Sequence, residues 1–158
     1  MANKTKITAT PGGREVLIER EFDAPRDKVW RAYTEPDLYI KWMGPHGLTG
    51  KIDAWEMKPG GKYGYTHTTP EGEAFSFVGY RHEVVPQERI TETFEWLGMP
   101  GHISLNSAKL EDIGNGRTKV TALAVFQTPE DRDGMIESGM EKGVVEGQER
   151  LDELLKKL

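Results

Sequence analysis

The segment 132–158, RDGMIESGMEKGVVEGQERLDELLKKL, carries the apolar period of one long helix. On a helical wheel Ile136, Met140, Val144, Leu151, Leu154, Leu155 and Leu158 share one face, a stripe roughly 120° wide. Glu141, Lys142, Glu149, Arg150, Asp152, Glu153 and Lys156 fill the rest. Glycine is the anomaly. Gly139, Gly143 and Gly147 recur every four residues, the last two within the stripe. Each helical glycine costs about 1 kcal/mol relative to alanine, so three cost about 3 kcal/mol. Net stabilities are only ~5–15 kcal/mol. Two physical readings explain missing side chains there: another backbone approaches closely, or a space is kept open. The second would make this a cavity-bearing binding protein.

Upstream the period changes. Lys6 to Thr10 is a marginal edge strand in a polar N-terminal stretch, 1–14, that is otherwise read as flexible. Glu15 to Phe22 alternates as a half-buried strand. Asp23-Ala24-Pro25 starts a helix, with Asp23 as the expected N-cap, and its core face is Val29, Ala32 and Tyr33. A second short helix fits Pro36 to Trp42. Six strands follow: Ile52–Met57, Lys62–Thr68, Phe75–Val85, Arg89–Leu97, Ile103–Ile113 and Thr118–Gln127. They are separated by Pro59-Gly60-Gly61, Pro70-Glu71-Gly72, Val85-Pro86, Gly98-Met99-Pro100-Gly101 and the hairpin signal Gly114-Asn115-Gly116. The implied architecture is α+β. A curved antiparallel sheet of six to seven strands wraps around the long C-terminal helix, with two short helices after the first strand.

A chain of 158 residues without cysteine or internal repeat reads as one domain, 1–158, with no disulfide or thiolate chemistry. Net charge of −5 and dispersed basic residues speak against nucleic acid or an anionic membrane surface as partner. No apolar run reaches the ~20 residues of a membrane span. Residues 1–6 lack the apolar core of a signal peptide, so the expected location is the cytoplasm.

Several strings add a family resemblance: Arg20-Glu21-Phe22-Asp23-Ala24-Pro25, Trp42-Met43-Gly44-Pro45, Lys58-Pro59-Gly60-Gly61 and Val84-Val85-Pro86-Gln87-Glu88-Arg89-Ile90. Gly98-Met99-Pro100-Gly101-His102 and Arg132-Asp133-Gly134-Met135, leading into Gly139-Met140-Glu141-Lys142-Gly143, continue the series. From about Ile7 to Leu155 the chain resembles the START-like (birch-pollen-allergen-like, SRPBCC) superfamily. Within it, the chain is similar to the group related to the activator of heat-shock protein 90 ATPase. It departs from many members at Met43, where they carry a second aromatic, and at Met57-Lys58, where they carry an acidic-basic pair. The resemblance implies a helix-grip fold with an internal cavity. Relatives in the superfamily bind lipids, hormones or polyketides, some catalyse cyclisation, and the name-giving co-chaperones stimulate a chaperone ATPase.

The expected cavity lining is Trp42, Trp55, Tyr63, Tyr65, Phe77, Tyr80, Glu92, Phe94, Trp96, His102, Met135, Gly139, Met140 and Gly143. For any one of the aromatics, ordinary sheet core is the competing reading. His46, His67, His82 and His102 have no metal-ligand spacing, and no cofactor is implied. His102 stands out because its glycine-bracketed loop could present it at a cavity mouth. Glu92 shares a strand face with Ile90, Phe94 and Trp96. Burial there would raise its pKa and suit it to acid–base work, whereas pairing with Arg81 would make it structural. Asp131-Arg132-Asp133 reads as helix capping with local ion pairs, or else as a polar gate. No catalytic residue is assigned.

Three functions fit these residues. The favoured one is a binding protein for a small hydrophobic molecule. A cyclase- or hydrolase-like enzyme needs Glu92, His102 or tyrosine hydroxyls to converge. An interaction module, including a homodimer or a chaperone partner by family analogy, needs an exposed apolar patch such as Ile103 and Leu105.

Overall fold

The computed structural model describes residues 3–158; Met1 and Ala2 of the expected flexible or edge-strand N-terminus lie outside them. Strands β1 (Lys6–Thr8), β2 (Glu15–Phe22), β3 (Thr49–Trp55), β4 (Lys62–Thr68), β5 (Ala74–Val85), β6 (Arg89–Trp96), β7 (Ile103–Gly114) and β8 (Arg117–Val125) form one open sheet. Its order is β1-β2-β8-β7-β6-β5-β4-β3, antiparallel at every step. Lys6–Thr8 pairs with Leu17–Glu19 and raises the strand count to eight, above the six to seven expected. Helices α1 (Arg26–Thr34) and α2 (Pro36–Trp42) follow β2, and α3 (Pro129–Glu137) and α4 (Met140–Leu155) close the chain. This is an α+β helix-grip arrangement.

Two corrections concern helix ends. Pro25, not Asp23, is the N-cap of α1, and no side chain caps it. Asp23 instead accepts from Arg117 Nε at 2.8 Å, because a carboxylate gains more from a guanidinium than from one backbone N–H. The single C-terminal helix is two helices. Thr128 caps α3 by accepting from Asp131 N at 3.0 Å, with Pro129 in the first turn. The chain then turns at Gly139, whose φ of +91° lies in the left-handed region that favours glycine.

The three glycines therefore have three different causes. Gly139 makes the break and lies outside the helix interior, so of these three only Gly143 and Gly147 carry the helical cost. Gly147 is buried, and a Cβ there would sit 3.0 Å from Trp42 O and 3.4 Å from Gly44 N and O. That is the close-backbone reading. Gly143 meets only Pro45 Cδ, at 3.6 Å from a Cβ, which is ordinary contact.

The core has two parts. Phe22, Val29, Ala32, Trp42, Val120, Leu151 and Leu155 pack together, with Leu154 and Leu158 against them, and hold the far half of α4 on the sheet. Val16, Ile18 and Phe126 form the second part, with Met135, Ile136, Met140 and Val144 packed on it. The segment after α2 is clasped by α4. Arg150 donates to Lys41 O at 2.5 Å and to Gly44 O and Pro45 O at 3.2 Å. From the sheet side, His67 is buried against Gly44, and its Nε2 has no hydrogen-bond partner among the described residues.

Gly147→Ala is expected to lower stability by about 1–3 kcal/mol, since the crowding atoms are backbone and must shift. Gly143→Ala should raise it by roughly 0.4–1 kcal/mol, because the space exists and helix propensity improves. Urea denaturation of both variants checks the contrast. His67 gives a pH dependence. Burial, then the nearby Arg150 charge, pull its pKa below the usual 6.5. Between the folded and unfolded values the unfolded chain binds more protons, so stability rises with pH through that window. The His67 contribution is complete above about 6.5 and is lost as pH falls. His67→Phe should flatten the acid limb of a plot of Tm against pH.

Candidate ligand cavity

Between the covered face of the sheet and α2, α3 and α4 lies a cavity of about 300 Å³. Its position follows from the two halves of α4. Leu151 and Leu155 draw the far half onto the sheet, while the half from Met140 to Gly147 carries glycine and one flexible Met where an anchoring helix would carry Leu. Eight of the expected residues line it: Trp42, Tyr63, Tyr65, Glu92, Phe94, Met135, Met140 and Gly143. Tyr33, Tyr39, Val144 and Gly147 join them from the helices, Ile90, Ser104, Asn106, Ala122 and Ala124 from the strands, and Met43 and Phe126 from just beyond α2 and β8.

The other six expected residues lie elsewhere. Phe77 lies beside the lining, stacked on Phe94 at 5.3 Å and on Tyr65 at 5.2 Å between ring centroids. Trp55 donates its indole N–H to Thr34 O at 2.8 Å and packs on the guanidinium of Arg81. Tyr80 is 57% exposed. Strand parity explains it: Phe75, Phe77, Gly79 and Arg81 share the inward face, and Tyr80 points away. Gly139 is exposed at the helix break, with no atom within 4 Å of a Cβ. Trp96 and His102 border a smaller outer hollow of about 200 Å³, which shares Phe94, Ser104, Phe126 and Met135 with the main cavity. There His102 Nδ1 meets Asp131 Oδ1 at 2.8 Å, tying the β6–β7 loop to α3. Arg132 is buried, donating to Glu15 O at 3.1 Å and pairing with Asp133 at 3.0 Å. The acidic-basic run thus makes the local ion pairs expected of it, while Thr128 does the capping.

Polar groups are few: besides Ser104, Asn106 and Ser107 of β7, they belong to two hydrogen-bonded clusters. In one, Arg81 lies between the rings of Trp55 and Tyr63, its guanidinium carbon 4.5 and 4.6 Å from their centroids. It donates to Glu56 O at 3.1 Å and to Glu92 Oε2 at 3.0 Å. Burial pushes the Glu92 pKa up, and the Arg81 charge opposes the rise. Tyr63 donates its hydroxyl to Thr93 O at 2.5 Å. Burial and the adjacent Glu92 carboxylate push the tyrosines Tyr39, Tyr63 and Tyr65 well above the usual 10, so they stay protonated. Losing one partner of a buried ion pair costs about 3–5 kcal/mol, so the Arg81–Glu92 pair holds the wall as well as facing the space. In the other, Gln148 accepts from Thr5 Oγ1 at 2.5 Å. Thr5 Oγ1 in turn accepts from Arg20 at 2.9 Å, and Arg20 also pairs with Asp152.

Glu92 and three tyrosines converge, whereas His102 stays in the outer hollow with Asp131. Among the described residues no group of three or more His, Cys, Asp or Glu side chains is arranged to hold a metal ion. No helix there is long and apolar enough to cross a membrane. The expected lining left out Asn106, Ser104, Tyr39 and Gln148. For β7 the signal was present: Ser104, Asn106, Ala108 and Leu110 alternate with Leu105, Lys109 and Glu111, and the first set faces inward. Met43, one of the departures from the family pattern, lines the cavity, while Met57 and Lys58 do not.

Solved structures show the same fold. A crystal structure of a Rhodobacter sphaeroides protein is 26% identical, with a TM-score of 0.88 over 98% of this chain and 99% of that one. A Nitrosomonas europaea protein is 28% identical, with a TM-score of 0.78 over 90% of this chain and 94% of its own. The AHSA1 protein of Silicibacter pomeroyi, 18% identical, superposes with a TM-score of 0.75 over 90% of this chain and 97% of its own. No curated protein matches the sequence. The model of the activator of Hsp90 ATPase homolog 1-like family matches residues 23–156, and the chain belongs to that family.

Proposed function

We propose that this protein binds a small hydrophobic molecule in the space between the sheet and the near half of α4. The observation that carries the reading is the make-up of the wall. Phe94, Trp42, Val144, Met135 and Met140 surround an interior where Gly143 withholds a side chain although a Cβ would meet nothing closer than 3.6 Å. Close packing is the rule in protein interiors, and a largely apolar wall of this extent offers contact surface that an apolar molecule would cover. A bound apolar molecule makes those contacts. The two methionines can adapt to its shape.

Interaction with a protein partner is a second reading, with one observation in its favour. Leu97, Met99, Ile103 and Leu105 are exposed around the β6–β7 loop and the outer face of β7. A chaperone ATPase, by analogy with the family's name, or a second copy of the chain would suit such a patch.

Equilibrium dialysis of naphthalene against the purified protein tests the first reading. Wild type should take up about one molecule per chain. Gly143→Leu should abolish uptake with an unchanged circular dichroism spectrum, since its side chain fills the space. Absence of naphthalene uptake by wild type would sink the proposal, as would equal uptake by the variant.

A further inference from the structure

Glu92 on β6 and Asn106 on β7 are cross-strand partners, and both reach the cavity. Each has part of its hydrogen-bonding capacity left over. Arg81 occupies Glu92 Oε2 at 3.0 Å, which leaves Oε1 as an acceptor. Ser104 Oγ donates to Asn106 Oδ1 at 2.9 Å, which leaves the amide N–H₂ as a donor. Directly paired residues have Cβ atoms about 4.5–5.5 Å apart, so an acceptor and a donor stand side by side in a largely apolar wall. The Tyr63 hydroxyl also lies against the Glu92 carboxylate, but its one proton goes to Thr93 O at 2.5 Å.

Charge narrows the choice. Glu92 and Arg81 neutralise each other, so an anion placed at Oε1 meets a carboxylate. A cation meets the buried Arg81, whose Nη2 has no partner of its own. The matching group is uncharged and both donates and accepts. A carboxamide does so, but it brings two N–H donors to a place with one free acceptor, and the second would be desolvated unpaired. A hydroxyl has one donor, and a carboxylate acceptor makes that bond charge-assisted. Phe94 lies two residues along the same strand face from Glu92 and stacks on Phe77 with ring planes 14° apart, a flat surface for a flat ligand. The cavity volume of about 300 Å³ is about twice the ~150 Å³ of an apolar cavity that holds benzene, which suits two fused rings.

We propose that the cavity selects a neutral two-ring aromatic alcohol, its hydroxyl donating to Glu92 Oε1 and accepting from Asn106 Nδ2. The assignment rests on the cavity-binding reading above. Equilibrium dialysis with naphthalene, 2-methoxynaphthalene and 2-naphthol separates the two. The methoxy compound keeps the acceptor and lacks the donor; naphthalene lacks both. Wild type should bind 2-naphthol about tenfold or more tightly than 2-methoxynaphthalene, the size expected when a buried acceptor is left unpaired. It should bind naphthalene weakest. Asn106→Ala should bring 2-methoxynaphthalene down to naphthalene while 2-naphthol stays ahead. Glu92→Gln should narrow the gap between 2-naphthol and the methoxy compound. Equal binding of all three by wild type overturns the hydroxyl anchor and leaves the cavity reading intact, whereas binding of none overturns both. Unchanged ratios in folded variants overturn the assignment to Glu92 and Asn106. If one variant does not fold, the other decides the assignment, and the wild-type ratios decide the hydroxyl anchor.

Discussion

The structure depends on one close approach, that of the backbone from Trp42 to Gly44 against α4 at Gly147. A carbonyl oxygen 3.0 Å from where a Cβ would stand leaves room for glycine alone without a shift. Arg150, one turn further along, locks the same segment through three carbonyls. The contact sets the height of the helix over the sheet midway along its length. Beyond it Leu151 and Leu155 reach the core; before it no large side chain bridges the gap at Gly143. The cavity is the consequence of a helix held at one point, pulled down on one side and left standing off on the other.

Buried polar groups flank that space instead of crossing it. Arg81 spends its charge on Glu92 and two aromatic faces, and Arg20 on Asp152 and Thr5. Both guanidiniums come from the sheet and are almost completely covered. Unpaired, each would be costly enough to threaten the fold; paired, they hold Glu92 and, through Thr5, Gln148 at the cavity wall. The tyrosines are held protonated by the same low-dielectric surroundings, so they can offer hydrogen bonds but not charge.

Membership of the activator of Hsp90 ATPase homolog 1-like family accounts for the fold and leaves the chemistry to the individual site. The relevant determinants are local. Met43 puts a flexible thioether in the cavity wall, and Asn106 supplies an amide between the inward-facing Ser104 and Ala108. Such positions decide what fits without altering how the sheet is built.

Periodicity along the chain was enough for the architecture. Alternation in six strands, Gly114-Asn115-Gly116 as a hairpin, Pro36 opening α2 and an apolar stripe over the last residues are local properties, carried by side chains whose preferences do not need the rest of the molecule. Parity within a strand was also legible; it places Tyr80 opposite to Phe77, against the expectation that both face inward. Three things needed the tertiary structure. The break at Gly139 is hidden because the apolar stripe continues across it from Ile136 to Met140. The meaning of each glycine is a matter of what lies opposite, backbone at Gly147 and a mostly open space at Gly143, and no spacing along the sequence encodes that. The partnership of Glu92 with both Arg81 and Asn106 joins three strands, and only their register brings those side chains to one wall. Sequence determines which residues can face inward; the distances among the elements decide which of them meet, and where they leave a gap.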